Sequence, residues 1–135
     1  MALRHKAREF ALQMLFQWEM GGQEPSRIES GFWKIARAEK KTRVLANQLF
    51  EGTVAGAKGI DEILKKHAKN WRLERMAAID RNILRLGVYE LRGDTPPKVV
   101  INEAVELAKK FSSEEAAPFI NGILDAVLKS LATRH

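Results

Sequence analysis

The sequence predicts an all-α fold of about seven helices. Three observations support this prediction. Apolar residues recur at the three- and four-residue spacing of helices, no segment alternates as a strand does, and glycine or proline interrupts the pattern at short intervals. Connections of a few residues between helices are typical of a helical bundle.

The first helix is predicted from residues 4–19, which open with a basic cluster and continue as an apolar helical pattern. At about 100° per residue, Arg4 and Arg8 lie one turn apart at the edge of the apolar face. Such a helix can bury one side in a core and present amides and cations to a polyanion. The apolar face carries Ala7, Phe10, Ala11, Met14, Leu15 and Trp18, and the opposite strip carries Lys6, Glu9, Gln13 and Gln17.

Glycine and proline divide the next part of the chain. The paired glycines Gly21 and Gly22 are predicted to end the first helix, and Pro25 suits the first turn of a short second helix. A third helix is expected to begin near Thr42. Gly59 is expected to interrupt the apolar pattern, so that a fourth helix follows it.

The most apolar helix is predicted over residues 73–91, where apolar positions cover more than half of the circumference. A helix of this kind is normally central and packed on several sides. A sixth helix is predicted to start near Pro97. Residues 112–115 have the form of a capping box for a seventh helix, but Pro118 implies either a kink or a helix that begins at Pro118 itself.

Length and composition limit the kind of protein. At 135 residues the chain is expected to form one domain over residues 1–135 with a real hydrophobic core. No apolar run approaches the roughly 18 to 20 residues that span a bilayer, so no membrane association is expected. The absence of cysteine excludes disulfides and thiolate metal sites, and it fits a cytoplasmic protein. The net charge of +6 favours a polyanionic partner.

The residues point to binding rather than catalysis. The histidines are far apart in sequence, and the chain has no phosphate-binding glycine loop, no nucleophile motif and no dinucleotide fingerprint. We therefore expect no enzymatic activity, no cofactor and no metal. RNA recognition combines aromatic rings that stack on bases with cations that meet phosphates. Phe16 and Phe119 are each either such a stacking ring or part of the core.

Four blocks of sequence carry a family resemblance: REFALQMLF at 8–16, IDRNILRLGVYEL at 79–91, PKVVINEAVELAK at 97–109 and FINGILD at 119–125. In this order, the blocks resemble the NusB family of bacterial transcription antitermination factors. The resemblance covers almost the whole chain, although residues 24–70 match only in general character.

The resemblance implies an all-helical fold of two small packed subbundles that binds the boxA element of nascent ribosomal RNA. In the family, affinity for this RNA is raised by a heterodimer with the ribosomal protein NusE. The heterodimer is carried on RNA polymerase as part of an antitermination complex, which suppresses premature termination and supports ribosomal RNA synthesis. No reaction is catalysed.

The family's RNA-binding and partner-binding positions carry over onto named residues of this chain. The family often begins with consecutive arginines, where this chain has His5 and Lys6. Phe16 stands where a tyrosine is common, which keeps a ring for stacking and loses the hydroxyl. The RNA-binding set is Arg4, Lys6, Arg8, Gln13, Phe16, Glu115 and Phe119, and Asp80 matches a position that lies against the partner protein.

Two alternatives stay open. The first is an RNA-binding domain of the same fold in ribosomal RNA modification, as in cytosine methyltransferases. Because the chain ends at His135 without a methyl-donor domain, we prefer the free-standing factor. The second alternative is a helical scaffold whose basic charge is incidental. The basic, partly aromatic surface is also compatible with a homodimer, in which RNA would compete with self-association.

Overall fold

The computed structural model describes residues 2–68 and 73–132. Within these residues every regular element is helical, so the predicted all-α class is confirmed. A 3-10 turn, Leu73–Arg75, precedes the fourth α-helix. The α-helices of the described chain are α1 (Ala2–Gly21), α2 (Pro25–Ile35), α3 (Lys40–His67), α4 (Ala78–Leu91), α5 (Pro97–Phe111) and α6 (Ala116–Ala132).

The chain divides into two compact units, Met1–Ala55 and Gly56–His135, which we call unit 1 and unit 2. Unit 1 holds α1, α2 and the first part of α3. Unit 2 holds the rest of α3 together with α4, α5 and α6. This division agrees with the two subbundles that the family resemblance implies. A single domain over residues 1–135 stays a prediction.

An aromatic cluster joins the helices of unit 1. The ring of Phe10 on α1 meets the rings of Phe32 and Trp33 on α2 edge to face, at centroid distances of 5.7 and 5.2 Å. Trp33 Nε1 also donates a hydrogen bond of 2.9 Å to Asn47 Oδ1 on α3. Aromatic pairs in this geometry add to the free energy gained by burying the rings. The cluster therefore holds α1, α2 and the first part of α3 together.

The first connection has the geometry that its glycines and proline predict. Gly22 has a φ of 67°, the left-handed conformation that favours glycine, and its N–H donates a 3.0 Å hydrogen bond to Trp18 O. Pro25 then occupies the first turn of α2, where its missing N–H would have no partner within the helix. The predicted end of the first helix and start of the second are both confirmed.

The predicted break at Gly59 is wrong, because α3 runs without interruption from Lys40 to His67. A glycine inside a helix costs about 1 kcal/mol relative to alanine. Ala57, Ile60 and Leu64 recur at helical spacing around it and are all buried. Burying an isoleucine or leucine side chain contributes about 1.5–3 kcal/mol, which outweighs the cost of one glycine. The helices predicted as the third and the fourth are therefore a single helix.

The central helix of unit 2 is α4, as its apolar pattern predicted. It packs against α5 and α6, which also pack against each other. The side chains of α4 from Asn82 to Leu91 are buried, with the exception of half-buried Tyr89. At Gly87 the approach to α6 is so close that an added Cβ would lie 2.9 Å from Leu124 Cδ1. Glycine allows this approach because it has no Cβ.

A bidentate ion pair anchors α4 to the second part of α3. Arg85 Nε and Nη2 donate to Asp61 Oδ1 and Oδ2 at 2.8 and 2.9 Å, and Arg85 Nη1 donates to Asn82 Oδ1 at 3.0 Å. Arg85 is buried although its side chain is charged. Burial is tolerated because the planar guanidinium meets both carboxylate oxygens.

The last helix begins at Ala116, two residues before Pro118. Neither predicted alternative for this proline is right, since Pro118 lies in the first turn, where a missing N–H breaks no hydrogen bond of the helix. Ser113 Oγ accepts a 3.1 Å hydrogen bond from Ala116 N, which agrees with the capping function predicted for residues 112–115.

Candidate nucleic-acid interface

The first helix of the chain, α1, is anchored by a broad buried face. The face predicted from periodicity is confirmed, except that Trp18 is only half-buried. Leu12 is fully buried as well, so the buried arc is wider than predicted. A helix held in this way presents its remaining side chains in fixed positions.

Opposite this face, α1 presents a polar strip that also contains large apolar side chains. Lys6 and Gln17 are exposed, and Phe16 and Met20 are 38% and 58% exposed. Gln13 also lies on this strip and is half-buried, and its Nε2 donates a 3.2 Å hydrogen bond to Glu9 O. We call these five residues the α1 strip. The ring of Phe16 is thus partly exposed, while its stacking on a base stays a prediction, and Met20 is an exposed residue that the sequence pattern did not identify.

Glu9 does not lie on the solvent strip where periodicity placed it, since it is only 3% exposed. Its carboxylate instead contacts two basic side chains one turn earlier: Oε2 lies 3.0 Å from His5 Nε2, and Oε1 forms an ion pair with Lys6 Nζ at 3.6 Å. Lys6 Nζ also lies 5.7 Å from the centroid of the Phe10 ring. The spacing of His5, Lys6 and Glu9 is a signal from which this cluster was predictable.

Arg8 also differs from the expected position, because it is 2% exposed rather than at the edge of the strip. On the helix circumference, at about 100° per residue, Arg8 falls between Leu12 and Leu15, and both leucines are fully buried. A buried guanidinium is not presented to a phosphate on the surface. Arg4, in contrast, is exposed near the start of the helix. Whether Arg8 takes part in RNA binding stays a prediction.

The other predicted RNA-binding residues lie in unit 2, around the start of α6. Glu115 is exposed in the turn before the helix, and Phe119 is half-buried in the first turn. Half-burial is compatible with either alternative for Phe119, so its stacking on a base stays a prediction. That Glu115 and Phe119 bind the same RNA as the α1 strip stays a prediction.

Asp80, the predicted partner-binding residue, lies in the first turn of α4 and is half-buried. Its Oδ1 is buried and accepts no hydrogen bond from any described residue. A carboxyl group at this position faces the positive end of the helix dipole. Its Oδ1 is a buried acceptor for which the described residues supply no donor.

A pair of carboxyl groups connects α2 to α3 within unit 1. Burial of Glu29, together with a hydrogen bond and charge repulsion from Glu51, raises the pKa of Glu29 to about 7. Glu29 Oε2 is buried and has no hydrogen-bond partner among the described residues. Within the same residues, no three side chains of metal-ligating type cluster together, and no helix is both long and apolar enough to cross a bilayer.

A family model matches most of the chain. Residues 5–129 match the model of the NusB family. The matched range covers parts of both units and includes every predicted site residue except Arg4.

Individual relatives match over nearly the full chain. The transcription antitermination protein NusB of Koribacter versatilis is 48% identical over 131 residues, which cover 95% of this chain and 90% of the relative. The protein of the same name from Sorangium cellulosum is 44% identical over 133 residues, with coverage of 97% and 95%. A crystal structure of the antitermination factors NusB and NusE in complex with dsRNA aligns with a TM-score of 0.87 at 32% identity, and the alignment covers 96% of this chain and 98% of that chain.

Proposed function

This chain belongs to the NusB family, and from that premise we propose that it is an RNA-binding transcription antitermination factor. It binds boxA-type sequences in nascent ribosomal RNA together with the ribosomal protein NusE, as part of the antitermination complex on RNA polymerase. One observation of the structure carries the proposal. The α1 strip exposes a phenyl ring, a glutamine and a lysine on a helix whose opposite face is buried.

In this proposal some residues of α1 bind the phosphates of the RNA and others recognise its bases. Arg4 and Lys6, both exposed, bind phosphates and position the strand without reading its sequence. Phe16 stacks on a base, since its ring is more than one-third exposed. Gln13 uses one N–H within the helix and keeps a carbonyl and a second N–H for a base edge.

Arg8 and Glu9 have supporting roles in the proposal. Arg8 is buried, so it stabilises the position of α1 rather than holding a phosphate directly. Glu9 pairs with both His5 and Lys6 and thereby restricts where these two side chains lie. Side chains that are positioned in advance lose less conformational freedom when a phosphate binds.

Unit 2 contributes a second RNA contact and the contact with NusE. Glu115 and Phe119, at the start of α6, are proposed to meet the RNA through a polar contact and a stacking contact. Asp80 is proposed to accept a hydrogen bond or ion pair from NusE. A buried acceptor without a donor costs free energy, and a donor from the partner would remove that cost.

We further propose that the chain acts by binding alone, without catalysing a reaction, and that it works in the cytoplasm. A single family model that matches parts of both units supports one RNA-binding domain over residues 1–135. The chain aligns with at least 90% of each relative named above, and both relatives are antitermination proteins. This favours the antitermination factor over a domain of a ribosomal RNA-modifying enzyme.

The proposal is tested by fluorescence anisotropy with a labelled single-stranded boxA-type RNA and a scrambled RNA, each with and without NusE. We expect tighter binding of the boxA-type RNA and a further gain with NusE. Replacing Arg4 and Lys6 together with Ala removes two phosphate contacts, so the log–log salt slope becomes shallower by about 1.4, at about 0.7 per contact on a single strand.

The matched control is the double change Lys109→Ala and Lys129→Ala in unit 2. These lysines belong to no proposed RNA contact, and they lie 3.8 and 3.0 Å from Glu106 and Asp125. The control loses the same two charges, and its salt slope is expected to equal that of the unchanged protein. Equal affinity of the unchanged protein for boxA-type and scrambled RNA, with and without NusE, would contradict the proposed function.

A further inference from the structure

A second cationic surface lies in unit 1, where α2 ends and α3 begins. Residues 34–43 contain five cations and one carboxylate, Glu39, and all six side chains are exposed. The four-residue connection between the helices limits the distance from Ile35 to Lys40 to less than about 18 Å, so the charges are concentrated in one region. The cations, which we call the basic corner, are Lys34, Arg37, Lys40, Lys41 and Arg43.

The charges of the basic corner are not compensated within the described chain. None of the five cations forms an ion pair with another described residue. Elsewhere on the surface, Lys109 and Lys129 each face a carboxylate one turn away. The corner is therefore available to an anionic ligand at its full charge.

Two of the cations also lie at a helix terminus where a positive charge destabilises the helix. Lys40 and Lys41 are the first residues of α3, and the first turn contains no acidic residue. The N-terminus of a helix carries a partial positive charge, so lysines there are unfavourable for helix stability. Lys40 and Lys41 therefore do not stabilise α3. A bound anion, in contrast, would interact favourably with both lysines and with the helix terminus.

The composition of the surface favours a nucleic-acid strand over a protein. Ile35 and Val44 flank the corner and are 87% and 47% exposed, which alone would also suit a protein partner. Lysine is depleted in protein–protein interfaces, however, whereas lysine and arginine clusters are typical of surfaces that bind phosphate backbones. Five cations against one carboxylate match the second type.

The basic corner is held in place relative to the α1 strip. Trp33, next to Lys34, packs edge to face on Phe10 of α1 and donates a hydrogen bond to Asn47 of α3. Both surfaces belong to unit 1, so the spacing between them is fixed. Linked contacts of this kind raise affinity because the second contact forms within one complex.

We propose that the basic corner binds the phosphates of an RNA strand without reading its sequence, and that it extends the RNA contact of unit 1 beyond the α1 strip. The inference rests on the proposed function only in that RNA is taken as the ligand. It adds a second, sequence-independent surface. RNA with single-stranded flanks should therefore bind more tightly than the recognition sequence alone.

The test compares a short boxA-type RNA with the same RNA carrying oligo-uridine flanks, by anisotropy over a range of salt concentrations. In the variant Lys40→Gln with Lys41→Gln, we expect unchanged affinity for the short RNA and loss of most of the gain from the flanks. The salt slope for the flanked RNA should become shallower by about 1.4.

The charge-reversed variant Lys40→Glu with Lys41→Glu should bind flanked RNA still more weakly while its melting temperature stays the same or rises. Weaker binding without a loss of stability excludes unfolding as the cause.

The control is Lys65→Gln with Lys66→Gln, which removes two exposed cations from the other end of the same helix. If this control loses as much affinity for flanked RNA as the Lys40 and Lys41 variant, the effect is one of net charge and the proposal is wrong. It is also wrong if the Lys40 and Lys41 variant keeps its affinity for flanked RNA and instead binds NusE more weakly, which would make the corner a protein contact. A failure of the proposed function gives a different result from these two outcomes. In that case the unchanged protein would bind boxA-type and scrambled RNA equally, while oligo-uridine alone would still bind.

Discussion

Unit 2 buries its central helix on almost every side, whereas unit 1 leaves several large apolar side chains in solvent. Among the described residues, only one exposed large apolar side chain belongs to unit 2 and the other five belong to unit 1. In unit 2, Arg85 is matched by a bidentate carboxylate. In unit 1, Glu29 and Glu51 form a pair of like charges instead. The five exposed apolar residues of unit 1 are Leu3, Phe16, Met20, Ile35 and Val44.

This difference indicates that the two units carry different tasks. Exposed apolar side chains lose the free energy that burial would contribute, and like charges repel, so the surface of unit 1 is not arranged for stability. Such features are typical of a surface that meets a ligand. The packing of unit 2 is arranged to hold the structure. Three experiments test the contrast, and they are described in order of decreasing effect.

The largest effect is expected in the core of unit 2. Leu124→Ala removes a fully buried side chain from α6 and should lower the free energy of unfolding by about 2–5 kcal/mol. Gly87→Ala alone should also destabilise, because the new methyl overpacks against Leu124 by about 1–3 kcal/mol, partly offset by about 1 kcal/mol of helix propensity. In the Leu124→Ala background the same change should be neutral or stabilising. Urea unfolding of the single and double variants measures this coupling, and additive effects would mean that α4 and α6 are not in close contact at Gly87.

A smaller effect, on binding rather than stability, is expected from the α1 strip. Phe16→Ala should weaken binding of boxA-type RNA by about 1–3 kcal/mol, because it removes a stacking ring, and should leave the melting temperature nearly unchanged. Phe10→Ala on the same helix is the matched control, since that ring is buried against Phe32 and Trp33. It should destabilise by about 3–5 kcal/mol. A large loss of stability in Phe16→Ala, without a loss of RNA affinity, would return Phe16 to the core of unit 1.

The smallest effect concerns the carboxyl pair of unit 1 and depends on pH. The pKa of Glu29 is raised from 4.5 to about 7, so the folded protein binds this proton more tightly than the unfolded chain does. Its contribution to stability is therefore present below about pH 4.5 and is lost as the pH rises toward 7. Glu29→Gln cannot ionise, so it should stabilise by roughly 1 kcal/mol at pH 8, an estimate reduced for partial solvation, and change little at pH 4.

Chemical unfolding at the two pH values measures the effect of this change. Glu24→Gln, which removes an exposed carboxylate at the start of α2, controls for the loss of one negative charge. An equal gain of stability from Glu29→Gln at pH 4 and pH 8 would show that ionisation of Glu29 is not the cause.

Much of the fold and part of the candidate site were predictable from the sequence. The apolar face of α1, the end of that helix at Gly22 and the central place of α4 follow from periodicity and from backbone chemistry. Gly59 was misjudged because a propensity cost of about 1 kcal/mol is visible in the sequence, while the burial of Ile60 and Leu64 that outweighs it is not. The resemblance to the NusB family, rather than any pattern, pointed to Glu115 and Asp80.

The sequence by itself determined that the chain is helical, where most of its helices begin and end, and which family it belongs to. These properties depend on local spacing and on residue identity, both of which can be read directly from the sequence. Only the tertiary structure decided which polar side chains are buried and which apolar ones are exposed. Arg8 and Glu9 are enclosed while Phe16 and Met20 are in solvent. The physical reason is that periodicity gives the angle of a side chain around its helix, whereas burial depends on what the rest of the chain places opposite that angle.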